Sequence, residues 1–410
     1  MDTLTTSSNW EKIRLGDIFF ITAGGDLSKP HYSNTKQSDF NYPIYSNAIE
    51  KKGLYGYSSF FIIKNKSITI TSRGTIGVAF FRDYPYVPIG RLLVLQPKIS
   101  NIDCRFYAEY INSKVKFNTE QTTIPQLTIP KVALCEIPLP PLNEQIAIAN
   151  VLSGVDRYLY ALDSLILKKE SVKKALSFEL LSQRKRLKGF NQAWEKIKVK
   201  DFGAIVTGST PLTQISEYWN GTISWITPTD INENRDIFNS ERKITQKGLN
   251  TIRMIPKNSV LVTCIASIGK NAILRVNGAC NQQINAIIPN KNFNADFIYY
   301  LMENNKQYLL GKAGVTATYI ISKQTFEEID FFVPKDLNEQ IAIANVLSAL
   351  DNEIVSLKNK KRQFENIKKA LNHDLMSAKI RVLKNKTPQK LKANPLIKET
   401  LKLESLRERS

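Results

Sequence analysis

Apolar residues return at steps of four and three from Ile148 through Leu152, Val155, Leu159, Leu162 and Ile166, after which the stripe shifts to Val172, Leu176 and Leu180. The same rhythm recurs at Ile343, Leu347, Leu350, Ile354, Leu357, Phe364, Ile367, Leu371 and Leu375. Sustained over about five heptads, it predicts two long helices with coiled-coil seams. About 42 helical residues would span roughly 60 Å at 1.5 Å per residue. An apolar seam needs a partner, and each copy supplies one for the other. The expectation is an antiparallel pair of helices holding two globular blocks apart. Pro140 and Pro141 end the preceding strand, Asn143 is placed as the N-cap, and Glu144 falls where the helix dipole favours a carboxylate.

The two helices are copies. LNEQIAIANVLS at 142–153 recurs unchanged at 337–348, an offset of 195, and the match continues through Asp156 and Asp351, Glu170 and Glu365, and KKAL at 173 and 368. WEKIRLGDI from Trp10 pairs with WEKIKVKDF from Trp194 at an offset of 184, so the whole unit is duplicated. The chain therefore reads as a first block (1–141), a helix (142–188), a second block (189–336), a second helix (337–384) and a basic tail (385–410). Each block mixes β-rich runs, ITITSRGTIGVAFF and GRLLVLQP in the first, NSVLVTCIASIG and NQQINAIIP in the second, with one helix, CRFYAEYINSKV or ADFIYYLMENNKQYL. The fold class is α+β: two globular α+β domains separated by paired helices in a pseudo-two-fold repeat. Trp10 and Trp194 are expected to anchor the cores.

Charge narrows the function. Lys and Arg number 57 against 37 Asp and Glu, a net +20, which favours a polyanionic partner, nucleic acid first. Both helices are basic; phosphates of DNA and an acidic protein surface each explain that. Cys104, Cys135, Cys264 and Cys280 show no metal-binding or disulfide spacing, and the only histidines are His31 and His373. The start MDTLTTSSNW is not a signal peptide and no run reaches the ~20 apolar residues of a membrane span, so a soluble cytoplasmic protein is expected. Phosphate loops, HExxH and GxSxG are absent, and Asn394–Pro395 is followed by Leu396, not by the rest of an adenine-methylase tetrapeptide. Catalysis is expected to come from a partner.

GSTPLTQISEYWNGTISWITPTDI (208–231), followed by ITQKGL, RMIPKNSVLVTCIASIGKNAIL and NQQINAIIP, resembles a target recognition domain of the specificity subunits of type I restriction-modification systems. YPIYSNA, GLYGY, SRGTIG and TTIPQL in the first block are similar to another subtype, and PLPPLNEQ and VPKDLNEQ resemble the family's two conserved regions. The resemblance implies a DNA-binding subunit that reads an asymmetric bipartite target in double-stranded DNA and uses its paired helices as a ruler. It also implies docking of two methyltransferase subunits and, through them, restriction/translocase subunits. S-adenosylmethionine, ATP and Mg²⁺ would then be bound by partners and no cofactor by this chain. An alternative is the recognition subunit of a two-component system whose partner fuses methylase and nuclease. A self-sufficient enzyme and a coiled-coil scaffold without nucleic acid are the readings from other classes.

Arginine suits guanine edges, and Asn or Gln suits adenine. On that basis Arg73, Thr75 and Arg91 are the DNA-contact candidates in the first block, and Thr229, Ser267, Lys270, Gln282 and Gln283 in the second. Aligning Pro97 with Pro289 sets Ile89, Gly90 and Arg91 opposite Asn281, Gln282 and Gln283, so the blocks depart from one another at this edge. Tyr42 to Tyr45 is expected to pack under the site.

Overall fold

The computed structural model describes residues 10–117, 125–232, 234–315, 318–380 and 382; the basic tail proposed for 385–410 lies outside them. Internal contacts divide the chain into two units, Met1–Asp163 with Lys360–Ser410, and Ser164–Asn359.

In the first unit, β1 (Glu11–Arg14) leads through a short helical turn to β2 (Phe19–Ala23). Next come β3 (Tyr42–Tyr45), β4 (Ser67–Ile70), β5 (Ala79–Arg82), β6 (Leu93–Pro97), helix α1 (Cys104–Lys114) and β7 (Glu136–Leu139). An antiparallel sheet of order β2-β6-β4-β5 carries the core, with every residue of β4 buried. Helix α1 starts where the Asp103 carboxylate accepts from the backbone N–H of Arg105 and Phe106, and it packs Phe106 and Tyr107 onto Ile68, Ile70 and Leu95. A second sheet runs through Tyr32–Ser33, Leu54–Ser58, β3 and Val87–Pro88. β1 pairs with β7 beside the start of the long helix α2 (Leu142–Leu181).

The second unit repeats the plan with β8 (Glu195–Lys198), β9 (Gly203–Thr207), β10 (Trp219–Ile226), β11 (Ser259–Thr263), β12 (Asn271–Leu274), β13 (Ile284–Pro289), helix α3 (Ala295–Asn304) and β14 (Asp330–Val333). Its main sheet has the order β9-β13-β11-β12, with Asp236–Ile237 added at the edge. Register is kept strand for strand: Phe19 opposite Pro97 becomes Gly203 opposite Pro289, and Ser67 opposite Arg82 becomes Ser259 opposite Leu274. The offset is 184 at the first of these strands and 192 at the rest. The extra length of the second block thus falls mainly between β9 and β11, around β10. The predicted helix over ADFIYYLMENNKQYL is broken at Asn305, whose side chain turns back to the Leu301 carbonyl.

Helices α2 and α4 (Leu337–Met376) are 40 residues each. In the first unit Ile148, Ala149 and Leu152 of α2 share a core with Leu375 and Met376 of α4. Asp156–Lys368 and Asp163–Lys361, each at 2.7 Å, and the Tyr158–Phe364 ring contact run antiparallel between the two segments. In the second unit the roles reverse: Ile343, Ala344 and Leu347 share a core with Leu180 and Leu181, and Asp351–Lys173, Glu353–Lys169 and Glu170–Lys358 tie the segments. Asp156–Lys368 and Asp351–Lys173 are one ion pair written twice, since both partners obey the offset of 195. Three expectations need correction. The helices end at Leu181 and Met376, short of the expected 188 and 384, because Gln183 (φ +62°) and Ala378 (φ +52°) take a left-handed conformation that stops the helical run. Val172 is exposed and leaves the stripe, because the seam at this level is made of charged pairs. Asn143 lies inside the first turn, accepting from the Glu144 N–H at 2.9 Å, whereas in the copy Asp336 precedes the helix and accepts from Asn338.

The repeated Asn-Glu-Gln turns inward. Gln145, fully buried, donates to the carbonyls of Pro140 and Asn101 and accepts from the Asp103 N–H. Gln340 makes the same three bonds to Pro334, Asn292 and Asn294. The Trp10 indole donates to Glu144 at 3.2 Å and the Trp194 indole to Glu339 at 3.1 Å. Each tryptophan also meets a phenylalanine edge to face, Phe106 or Phe297. Glu339, 1 % exposed, is further held by Arg186 Nη2 at 3.0 Å to both carboxylate oxygens. The motif thus pins the first helix of each block and its opening tryptophan to the start of a long helix.

Candidate nucleic-acid interface

The β4–β5 hairpin of the first unit ends in a loop, residues 71–78, whose shape comes from Thr71. Its hydroxyl donates to the Thr75 carbonyl at 2.5 Å and accepts from the Val78 N–H at 2.9 Å, while the Gly77 N–H returns to the Thr71 carbonyl. Gly74, at φ +68°, turns the chain at the tip. The second unit builds the same loop over 263–270. Thr263 donates to the Ser267 carbonyl, the Gly269 N–H returns to the Thr263 carbonyl, and Ala266, at φ +60°, takes the tip. Aligned at the offset of 192, TSRGTIG and TCIASIG carry this identity in their Thr, small-residue and Ile-Gly positions. Comparing the two would have revealed Thr71 and Thr263, which the sequence reading passed over.

A turn before β6 or β13 lies against each loop. In the first unit Ser72 donates from its hydroxyl to the Arg91 carbonyl at 2.7 Å, and Asn47 bridges the Ser72 N–H and the Gly90 carbonyl. In the second, the Cys264 N–H donates to the Gln283 carbonyl at 2.8 Å, the Asn281 N–H to the Ile226 carbonyl, and Thr210 to the Gln282 amide oxygen at 2.6 Å. These bonds bring Arg73, Thr75 and Arg91 to one edge in the first unit and Ser267, Lys270, Gln282 and Gln283 to one edge in the second, whereas Thr229 is bonded to Thr227 and is not tied to that edge. Gly208 shows how closely the second edge is packed, since a Cβ there would stand 2.2 Å from the Asn281 carbonyl oxygen.

The candidates differ in freedom. Arg91, Thr75, Ser267 and Lys270 are exposed, and their side chains make no hydrogen bond among the described residues. Arg91 holds φ +66°, a left-handed conformation that costs a non-glycine residue of order 1 kcal/mol and is retained where the surroundings fix it. Arg73 is exposed but donates to Gln126 at 3.1 Å. Thr229 pairs with Thr227, and Gln283 is half-buried, accepting from the Asn281 amide at 3.0 Å. Tyr45 is buried, with the Arg82 guanidinium carbon 3.6 Å from its ring centre, and its carbonyl accepts from the Ile89 N–H two residues before Arg91, while Tyr42 is half-buried against Phe61.

Cys104, Cys264 and Cys280 are buried, and the Asp236 carboxylate is bound by arginines. Burial pushes the Cys264 thiol up to about 11 and those of Cys104 and Cys280 to about 12, so none is a thiolate at neutral pH. Burial alone would raise Asp236, but hydrogen bonds from Arg235 and Arg275 outweigh it and hold the carboxyl below its usual range. That network continues through Arg275 to Asp296 at 2.6 Å, and from Arg235 through Tyr300 to Asp351 at 2.6 Å, fastening α3 to α4 within the second unit. No group of three or more His, Cys, Asp or Glu suited to a metal occurs among the described residues.

Thr71 offers a direct test of the loop. Thr71→Val removes the hydroxyl from a fully buried position and strands a carbonyl and an N–H, so chemical denaturation should show a loss of about 1–3 kcal/mol. A loss under about 0.5 kcal/mol would show that backbone bonds alone hold the loop.

The family model of the type I restriction modification DNA specificity domain matches residues 7–169 and 191–366. The MjaIX specificity subunit of a type I restriction enzyme from Methanocaldococcus jannaschii is 37% identical over 182 residues, 43% of this chain and 41% of that protein. A putative type I specificity subunit of Mycoplasma pneumoniae is 32% identical over 155 residues, 37% of this chain and 46% of its own length. The match thus spans less than half the length of each of these relatives. The MjaVIII specificity subunit of Methanocaldococcus jannaschii aligns more widely, 25% identical over 93% of this chain and 95% of its own. The crystal structure of an S subunit of a type I restriction-modification system from M. genitalium superposes with a TM-score of 0.65 at 17% identity, covering 91% of this chain and 97% of that one.

Proposed function

Because the chain belongs to the family of type I restriction-modification DNA specificity subunits, we propose that it reads a bipartite, asymmetric DNA target for a methylation and cleavage complex. Each unit contributes one half of the reading. The observation that carries this is the pair of loop-and-turn edges, built on one backbone plan and bearing different side chains. An equivalent frame with unlike chemistry suits two half-sites of different sequence. Arg91 and Arg73 present donors for guanine, Gln282 and Gln283 present amides for adenine, and Thr75, Thr229, Ser267 and Lys270 complete the contacts to bases and phosphates.

In this reading the chain is not itself catalytic. It docks two methyltransferase subunits and, through them, restriction/translocase subunits, in the cytoplasm, and S-adenosylmethionine, ATP and Mg²⁺ are bound by those partners. No helix among the described residues is long and apolar enough to cross a membrane. Helices α2 and α4 are themselves close to neutral, with 11 Lys and Arg against 10 Asp and Glu, so the basic surplus expected of these stretches falls past Leu181, at Arg184, Lys185 and Lys188, where it suits DNA phosphates or an acidic partner surface.

The test assembles the chain with its methyltransferase and maps methylated adenines on random duplex DNA. The expected result is a split motif with two unlike halves; methylation without a split motif, or by the chain alone, overturns the proposal. Arg91→Gly sharpens it. Glycine accepts the left-handed backbone without strain, so stability should hold or rise slightly, while discrimination at one position of one half-site falls by about 1–3 kcal/mol. Equal weakening on every sequence would assign Arg91 to a phosphate.

A further inference from the structure

Arg242 is exposed and immediately precedes the edge strand Lys243–Ile244 that pairs with β10. Its backbone is fixed, because its carbonyl accepts from the Trp225 N–H and from the Ser240 hydroxyl. Its guanidinium carbon lies 4.1 Å from the Trp219 ring centre and 4.8 Å from that of Trp225, and the two indoles meet edge to face. Both contacts are well inside the range of a cation–π attraction. Arg235 and Arg275 of the same unit commit their guanidinium groups to Asp236 and Asp296. The Arg242 guanidinium makes no hydrogen bond or ion pair among the described residues, so its fork of donors is held in place and left unspent.

The platform belongs to the reading edge. The Trp225 indole donates to the Ser209 carbonyl at 3.0 Å and the Trp219 indole to the Leu212 carbonyl at 3.2 Å. Between those anchor points, Thr210 donates to Gln282. Arg242 is therefore one aromatic layer from a candidate base-reading glutamine. A guanidinium immobilised before binding loses less rotamer freedom when it engages a base, and its planar fork matches the two acceptors of a guanine edge.

We infer that Arg242 is a specificity-determining residue of the second unit and contacts a guanine in the half-site read there, with Trp219 and Trp225 as its mount. This rests on the proposed reading of DNA by that unit. The experiment uses the complex with its methyltransferase, a pool of duplexes randomised across the target, and sequencing of methylated products for wild type, R242K and R242Q. Lysine keeps the charge over the rings but lacks the fork. R242K should lower the guanine preference at one position by about ten-fold or more, with the remaining positions unchanged. R242Q should move the preference at that same position toward adenine. Uniform loss of methylation across all sequences in both variants would make Arg242 a phosphate contact and overturn the inference, as would wild-type preferences in both. A wild-type complex with no split preference would overturn the functional reading itself, and this inference with it.

Discussion

Glu339→Ala should destabilise the second unit by about 3 kcal/mol, which makes it the most damaging single change expected in the long helices. The carboxylate is buried and answers two groups at once, the Arg186 guanidinium through both oxygens and the Trp194 indole. Truncation leaves a cation beside a buried face and an indole N–H without an acceptor, and removing one member of such a pair costs about 3–5 kcal/mol. Arg186 keeps some access to water, which places the loss at the lower end of that range. Trp194→Phe is the internal comparison. It keeps an aromatic ring and the ion pair and removes only the indole donor, so about 1–2 kcal/mol is expected. Hydrogen exchange resolved by segment reads the two units separately. Equal protection losses for the two variants would show that Arg186 adds nothing to the clasp.

Replacing residues 10–141 with a second copy of residues 194–336 should give a protein whose target has the same sequence in both halves. The graft brings what the start of α2 requires: Trp194 for Glu144, the Asn294 N–H for Gln145, and Tyr300 for Asp156, the counterpart of Asp351. Glu109, which now stands 3.9 Å from Lys368, is lost, but Asp156 alone holds that lysine at 2.7 Å. Methylation mapping of the assembled complex checks the outcome. Survival of the original first half would show that residues outside 10–141 read it.

The duplication and the long helices were legible because both are periodic, and period survives in sequence whatever the surrounding contacts. The hairpins were legible as runs, since Ser67–Ile70 and Ser259–Thr263 are short, apolar and bounded by turn residues. What escaped depends on partners distant in the chain. Asn47 is one polar residue among many until Ser72 and Gly90 close on it. Glu144 and Gln145 look solvated at the head of a long helix, and only the tryptophan and the helix-cap N–H give them an interior. Arg242 lies 17 and 23 residues from the two indoles it covers, with no pattern joining them. The candidate residues themselves were chosen by chemistry, and the structure brings all but Thr229 to one edge per unit, because the threonine-closed loops and the turns beside them are bonded together.

The sharing of each core between one helix's beginning and the other's end has a consequence for biosynthesis. Leu375 and Met376 belong to the same core as Leu15 and Phe19, so the first unit is incomplete until more than 200 residues after Leu152 have been made. The second unit draws on Ser164–Asn359 alone and is complete once α4 is partly extruded. At the usual pace of about 5–20 residues per second, the first block waits some tens of seconds with the Ile148 and Leu152 face uncovered, a natural client for chaperones. A message ending between codons 360 and 371 would yield a polypeptide whose later-made unit is finished and whose earlier-made unit is not.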